Sequence, residues 1–280
     1  ERYNRSGGFH KRKDITMVKL FATDLDGTLL QRGKYISPDD IQALHTLKEQ
    51  QIDFAIATGR MDKEIVVISE QIELKGHRIS QNGAFAITKE DEIIYEKTFD
   101  VATSKIIHQV VSDYPDPFCI STADDIYISK VSEDIERLEG ELFFPIKEGV
   151  DFLDKYGSNF LPSKFMLLGE TNKLLAYQKK IMNQIASVAE SYLSDPHCLD
   201  VVPKGVSKSL GLKQLASLLQ INPTEIAVIG DSFNDLPMFE MTPHSFAMAT
   251  APKEVQEHAS YVVNSVKEAV ELVTEKVSAS

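Results

Sequence analysis

Cysteine is scarce: Cys119 and Cys198 are the only two in 280 residues. Two cannot build a disulfide framework, so a reducing, cytoplasmic setting is the expectation. No run of 18 apolar residues occurs, which leaves no segment to span a bilayer as a helix, and no membrane partner is expected. The seven histidines show no His-x-x-x-His spacing, which speaks against a histidine-built zinc site. Neither a Walker loop nor a Gly-x-Gly-x-x-Gly is present, so nucleotide folds of those kinds lack their fingerprints. Positive charge is short as well, with 30 Lys and Arg against 42 Asp and Glu and a net charge of −12. A nucleic-acid binder that works by general attraction needs a basic face, so no nucleic-acid partner is expected.

What remains is the composition of an ordinary globular protein, 42% hydrophobic and 26% charged. That much apolar surface can offset the entropy of ordering the chain. The length suits one or two domains. Residues 1–16 run against the acidic trend, with five basic and two acidic side chains. They read as a basic tail outside the folded domains, disordered or carried over from expression, and dispensable.

After Met17, short apolar runs alternate with amphipathic stretches. Val18–Thr23 reads as a buried parallel strand ending in Asp24. Ser37-Pro38-Asp39-Asp40 opens a helix, with Ser37 as N-cap, Pro38 at the first position and Ile41, Leu44 and Leu47 as its apolar stripe. Asp53–Ala57 is a second buried strand, followed by a helix from about Met61. Ile226–Ile229 repeats the form and leads to a helix around Asp235–Glu240. This alternation predicts an α/β fold, a parallel sheet covered on both faces. The middle differs. Hairpin-like pieces (Phe85–Ile87 with Ile93–Tyr95, Ile120 with Ile126–Ile128) are interleaved with helical stretches over Thr103–Ser112 and Asn172–Glu190. They predict an inserted α+β domain over 85–191 that divides the first domain into 17–84 and 192–280.

Ligands of open α/β sheets bind beyond the carboxyl ends of the strands. Three apolar runs here end in Asp24, Thr58 and Asp231. In Asp24-Leu25-Asp26-Gly27-Thr28, residues two apart at a strand end face the same side, so Asp24 and Asp26 can converge on one ligand. Gly27 lets the chain turn at once. Two close carboxylates must share a proton or a cation, and a hard divalent ion such as Mg²⁺ suits oxygen ligands. Alone, this pair would read as two acids decorating a turn. In Gly230-Asp231-Ser232-Phe233-Asn234-Asp235, Asp231 is a candidate metal ligand, Asp235 a ligand or holder of a metal-bound water, and Asn234 a phosphate or carboxylate partner. Simple capping of the next helix by Asp231 and Ser232 is the alternative.

Gly205-Val206-Ser207-Lys208 opens another helix, backed by Leu210, Leu212, Leu215 and Leu218. Lys208 is a candidate counter-charge to a phosphate or to the four acids, or else a solvated first-turn lysine. Thr58, Gly59 and Arg60 are candidate phosphate donors, with a helix cap and a surface arginine as equally good readings. Cys119 and Cys198 read as buried apolar thiols.

With these clusters in place, the chain resembles the haloacid dehalogenase (HAD) superfamily. Asp24-Leu25-Asp26-Gly27-Thr28-Leu29 is similar to its first motif and Thr58 in Ala-Thr-Gly-Arg to its second. Lys208 is similar to the third, and Gly230-Asp231-x-x-Asn234-Asp235 to the fourth. The long insert between the second and third, with Asn82-Gly83 just before it, resembles the Cof-type subgroup with a C2B cap. Ser209 stands where that subgroup often has Gly. The resemblance implies a Rossmann-like core with an inserted cap, and a Mg²⁺-dependent phosphatase acting through a phosphoaspartyl enzyme. Asp24 would be the nucleophile and Asp26 the general acid/base. Asp24, Asp26 (through its backbone carbonyl) and Asp231 would hold the metal with Asp235 beside them, and Thr58 and Lys208 would bind the phosphoryl group. The implied substrate is a small phosphorylated metabolite, sugar phosphates first, with Asp124-Asp125 or Lys164 as candidate contacts to the leaving group. A phosphotransferase or phosphomutase would share every motif, a receiver domain would not need Asp26 or an insert, and a non-catalytic phosphate- or metal-binding protein would be expected to have lost a key group. The oligomeric state, monomer or homodimer, is open.

Overall fold

The structure, a computed structural model, describes residues 17–275 apart from 32–33, 117, 129–135, 137, 141, 150 and 158. The expected basic tail over 1–16 lies outside the described residues.

Strand β1 (Leu20–Thr23) is apolar at both alternating sets of positions, which suits a strand covered on both sides. Phe21 packs with Leu44, Leu47, Ile65, Ile68 and Val270 on one face. Leu20 and Ala22 pack with Leu212, Leu215 and Met238 on the other. β1 lies inside an eight-stranded sheet with β2 (Asp53–Ala57), β3 (His77–Ser80), β4 (Phe85–Ile87) and β5 (Ile93–Glu96) on one side. On its other side lie β12 (Ile226–Gly230), β13 (His244–Met248) and β14 (Tyr261–Val263). The strands from β14 to β3 are parallel, and β4 and β5 add an antiparallel edge.

Helices α1 (Pro38–Glu49), α2 (Asp62–Gln71) and α9 (Val266–Thr274) cover the Phe21 face. Helices α6 (Lys208–Leu219), α7 (Leu236–Phe239) and α8 (Lys253–His258) cover the other. Pro38 is at the start of α1 as expected, but the Ser37 side chain makes no cap hydrogen bond. The Asp40 carboxylate instead accepts from the Lys267 backbone N–H at 2.7 Å, tying α1 to α9. Leu218, expected in the α6 stripe, is 51% exposed.

A second sheet of six strands runs β10 (Ala189–Asp195), β11 (Cys198–Pro203), β9 (Lys164–Leu168), β6 (Phe118–Ser121), β7 (Ile126–Ile128) and β8 (Lys147–Glu148). Helices α3 (Val101–Val111) and α5 (Thr171–Ile185) and the short α4 (Phe152–Lys155) pack on one face, around Phe165, Leu167 and Leu199. The opposite face carries Met166, Leu168, Ile126 and Cys119, which cluster with Met61 at the start of α2.

Sheet membership does not follow the expected domain boundaries. The hairpin Phe85–Glu96, read as part of the insert, is the antiparallel edge of the first sheet. Residues 192–203, read as returning to the first domain, belong to the second sheet. The expected helix over 172–190 ends at Ile185, and Ala189 already starts β10. A hairpin pairs with whichever edge its flanking turn presents, and local pattern carries no information on that choice. We therefore propose that the division falls near residues 97 and 203.

Candidate active site

β12, β1 and β2 are consecutive in the sheet, and their carboxyl ends deliver Gly230-Asp231, Asp24 and Thr58 side by side. From β1 the chain builds the sheet to one side, then returns at β12 to build the other, so Asp24 sits at the reversal of strand order where such sheets open a crevice. Gly27 has φ +80°, and a Cβ there would fall on the Asp231 carboxylate. A Cβ at Gly230 would fall on the Asp235 carboxylate. Gly27 lets the two acidic loops close on each other, and Gly230 lets the second loop fold back on its own Asp235.

Asp24 is 4% exposed. Lys208, the first residue of α6 and 1% exposed, donates to Asp24 Oδ1 at 2.6 Å and to Asp235 Oδ1 at 2.7 Å. The other oxygen of Asp235 accepts from the backbone N–H groups of Asp231 and Ser232, each at 2.9 Å. Asp231 Oδ1 accepts from the Thr28 hydroxyl at 2.8 Å. Oxygens of Asp24, Asp231 and Asp235 all lie within 4.8 Å of one another.

Burial raises the Asp24 carboxyl well above its ordinary range, more than Lys208 lowers it, and Asp235, Asp231 and Asp26 add to the rise. Burial, with Asp235 beside it, pushes Asp231 up to about 7, against the Thr28 hydrogen bond. Burial opposes charge on Lys208 too, but Asp235 and Asp24 together outweigh it and its pKa rises. One ammonium among two buried carboxylates and a half-buried one leaves excess negative charge that protons or a cation must offset. An all-oxygen donor set of this kind fits a hard divalent ion such as Mg²⁺. Both Asp235 oxygens are already engaged, so Asp24 and Asp231 have the capacity to bind directly while Asp235 positions them and Lys208.

Asp26 does not join this cluster. Its carboxylate turns to Arg60 in a bidentate pair, with Nε to Oδ2 at 2.8 Å and the terminal nitrogen to Oδ1 at 2.8 Å. Arg60 also donates to Glu64 Oε1 at 2.7 Å, and Glu64 is fully buried. The expected phosphate donor is thus occupied by two carboxylates. Asp26, with its side chain 50% exposed, faces the same cavity as Asp24. A side-chain bond from Asp26 to a metal in the Asp24–Asp231 cluster is not what this arrangement provides.

Thr58 is buried at the floor of that cavity, its hydroxyl accepting from the Arg60 N–H at 3.1 Å. Asn234 donates to Asn82 Oδ1 at 3.0 Å, and its own buried Oδ1 has no partner. Asn82 in turn donates to Asp200 Oδ2 at 2.6 Å. Lys164 donates to the same oxygen at 3.2 Å and to the Gly59 carbonyl at 2.9 Å. This chain fastens the second sheet to the strand-end loops. Asp125 is paired with Lys63 and Lys147, and neither it nor Asp124 lines the cavity, whereas Lys164 does. Sequence reading missed Glu64 and Asp200. Glu64 follows Arg60 by one helical turn, and Asp200 is the lone acid in the apolar run Leu199–Val202, and both were findable signals.

Residues 21–271 match the family model of haloacid dehalogenase-like hydrolases. The chain belongs to that family. The resemblance read from the four motifs, including the Cof-type subgroup, stands with it. Over 245 residues the chain is 26% identical to the 5-amino-6-(5-phospho-D-ribitylamino)uracil phosphatase YbjI of Escherichia coli, covering 87% of this chain and 90% of that one. It is 28% identical over 263 residues to a putative phosphatase of Streptococcus pyogenes, covering 89% and 93%. A solved haloacid dehalogenase-like hydrolase from Bacteroides thetaiotaomicron superposes with a TM-score of 0.79 at 26% identity, over 91% of this chain and 99% of that one. The α/β core with its α+β insert is thus the family's fold, and the protein is a hydrolase of this family. Among the described residues no helix is long and apolar enough to cross a membrane.

Proposed function

We propose that the protein hydrolyses phosphate monoesters of small metabolites in two steps through a phosphorylated Asp24. The observation that carries this reading is the pairing of Asp24, fixed by Lys208 at the cavity floor, with Asp26 held by Arg60 at its side. A nucleophile and a proton carrier two residues apart face one cavity.

In the first step an Asp24 carboxylate oxygen forms a bond to phosphorus and the ester P–O bond breaks. Asp26, protonated once it leaves the Arg60 pair, gives its proton to the departing oxygen. In the second, water attacks phosphorus, Asp26 takes the water's proton, and the acyl-phosphate bond breaks to return the Asp24 carboxylate and inorganic phosphate. Lys208, the Thr58 hydroxyl and the Asn234 amide offer fixed donors to the phosphoryl oxygens, where charge stabilisation does most of the work. Mg²⁺ held by Asp24 and Asp231 would supply charge neutralisation at the phosphoryl oxygens. The second sheet closes the cavity and sheds water.

Phosphate release with and without EDTA, for wild type and Asp24→Asn, tests this. Turnover that needs the metal and vanishes in the variant supports the reading; turnover that persists in Asp24→Asn rejects Asp24 as nucleophile. A sugar leaving group is the finer expectation from the resemblance, and the lining of the cavity bears on it.

A further inference from the structure

Asp200 is the one acid of the apolar strand β11 and is fully buried. A carboxylate held there needs donors. Its Oδ2 accepts from Lys164 of β9 at 3.2 Å and from Asn82 at 2.6 Å, and its Oδ1 accepts from the Cys198 thiol at 3.5 Å. Asn82 belongs to the turn after β3, on the other sheet. It has φ +59°, a left-handed conformation that asparagine tolerates better than most side chains. Its backbone N–H donates to the Thr58 carbonyl at 2.9 Å, so the turn is fixed to the strand-end loops.

These bonds have a direction. A carboxylate only accepts, an ammonium only donates, and an amide has one end of each kind. Asp200 therefore draws the NH2 end of Asn82. That leaves Asn82 Oδ1 for Asn234, which must turn its own NH2 to it, as it does at 3.0 Å. Donation thus runs in one sense from Asn234 through Asn82 to Asp200, and Lys164 meets Asp200 from the other side. The free end is Asn234, which is buried and lines the cavity together with Asp24. Its Oδ1 has no partner. An amide turned over exchanges donor for acceptor with almost no change of shape, so bonding rather than packing sets its sense.

We infer that Asp200 is a positioning residue for phosphoryl transfer: through Asn82 it sets which end of the Asn234 amide meets the phosphoryl group. The inference rests on the phosphatase reading and extends the site to a side chain of the second sheet. Asp200 needs no contact with the substrate to act in this way. Every substrate presents the same phosphoryl group, so the effect is independent of the leaving group. The chain of bonds requires an acceptor at position 200, and the charge is secondary.

Phosphate release from acetyl phosphate and from phenyl phosphate, with Mg²⁺, tests this in Asp200→Leu, Asp200→Asn, Asn234→Ala and Asp200→Leu/Asn234→Ala. Leucine removes the acceptor, whereas asparagine keeps an oxygen that Lys164 holds in place. Asn234→Ala is expected to lower kcat by about 10²-fold, the scale for one fixed donor to developing charge. Asp200→Leu should lower kcat by about tenfold on both compounds alike, the scale of one lost hydrogen bond, with KM little changed. Asp200→Asn should restore most of that loss. In the Asn234→Ala background Asp200→Leu should cost almost nothing more, because the group it orients is gone. Thermal unfolding checks that each variant is folded. If Asp200→Leu is not, Asp200→Leu/Lys164→Met read against Lys164→Met takes its place. Full activity in Asp200→Leu, a loss that multiplies with that of Asn234→Ala, or a loss confined to phenyl phosphate overturns the inference and leaves the phosphatase reading intact. So does an Asp200→Asn variant as impaired as Asp200→Leu. Folded wild type that releases phosphate from neither compound overturns the phosphatase reading and this inference with it.

Discussion

The ammonium of Lys208 sits between two carboxylates, 2.6 Å from Asp24 Oδ1 and 2.7 Å from Asp235 Oδ1, with all three side chains almost fully buried. Asp24 and Asp235 are 211 residues apart in the chain, and Lys208 holds them in one geometry. The lysine therefore fixes the direction of the Asp24 carboxylate and supplies the positive charge nearest to where a phosphoryl group would arrive.

Replacing Lys208 by Met leaves two buried carboxylates without their counter-charge. The expected cost in EDTA is about 3 kcal/mol of stability, the usual scale for breaking a buried pair from one side. Mg²⁺ should recover part of it, because the cation offsets the same excess charge. Urea unfolding of wild type and variant, with and without Mg²⁺, checks this. A variant as stable as wild type in EDTA would show that the pair does not matter to the fold.

Asp26 is expected to serve leaving groups in proportion to how badly they need a proton. Asp26→Asn should slow hydrolysis of an alkyl phosphate by about 10²-fold or more, the scale of general acid catalysis, and acetyl phosphate far less in its first step. Rapid-quench measurement of the two substrates separates the cases. Equal loss on both would argue that Asp26 acts by holding the loop.

Arg60→Ala should free Asp26 and leave Glu64 buried without its ion pair. Glu64 already has its carboxyl raised by burial, which Arg60 partly offsets. The variant is expected to lose about 2 kcal/mol or more of stability from the stranded acid, and Arg60→Ala/Glu64→Gln should regain part of that. Thermal unfolding of the single and double variants reads the coupling directly.

At the far end of β2 the Asp53 carboxyl is held down to about 2 by the His77 ring and the Lys89 ammonium, against burial that pushes it up. A lowered carboxyl stabilises the fold at pH values above its unfolded value, about 4. That contribution is lost as pH falls from about 4 through about 2. Wild type should exceed Asp53→Asn by about 1 kcal/mol near neutral pH, with the gap closing over that acid range. Urea midpoints along a pH series measure it, and a gap that widened toward acid would contradict the sign.

The strand ends were legible because each apolar run stops abruptly at a polar residue, and three such ends proved to be neighbours in the sheet. Spacing at the strand end predicted that Asp24 and Asp26 converge, but the Asp26 carboxylate turns to Arg60, and the acids that gather are Asp24, Asp231 and Asp235 from the ends of two neighbouring strands. The partners of those groups were less legible. Arg60 turns to Asp26 across 34 residues and Asn82 to Asp200 across 118, and no local pattern encodes such pairings. The hairpin after Gly83 was legible as a hairpin, but its place at the edge of the first sheet was not, because its edge partner β3 follows from the turn at Gln81–Gly83. Likewise Asn172–Glu190 kept its helical composition to the end, but pairing with β11 takes the chain into a strand from Ala189.

The central claim is that Asp24 carries the phosphoryl group during turnover. Wild-type protein quenched with acid during steady-state hydrolysis, then reduced with borohydride, should yield homoserine at position 24 in the peptide map. An acyl phosphate is reduced in this way and a free carboxylate is not. Homoserine at position 24 only when substrate and Mg²⁺ were both present is the predicted result. Turnover at the same rate with Asp24 recovered unmodified, or with homoserine at another aspartate, would contradict it.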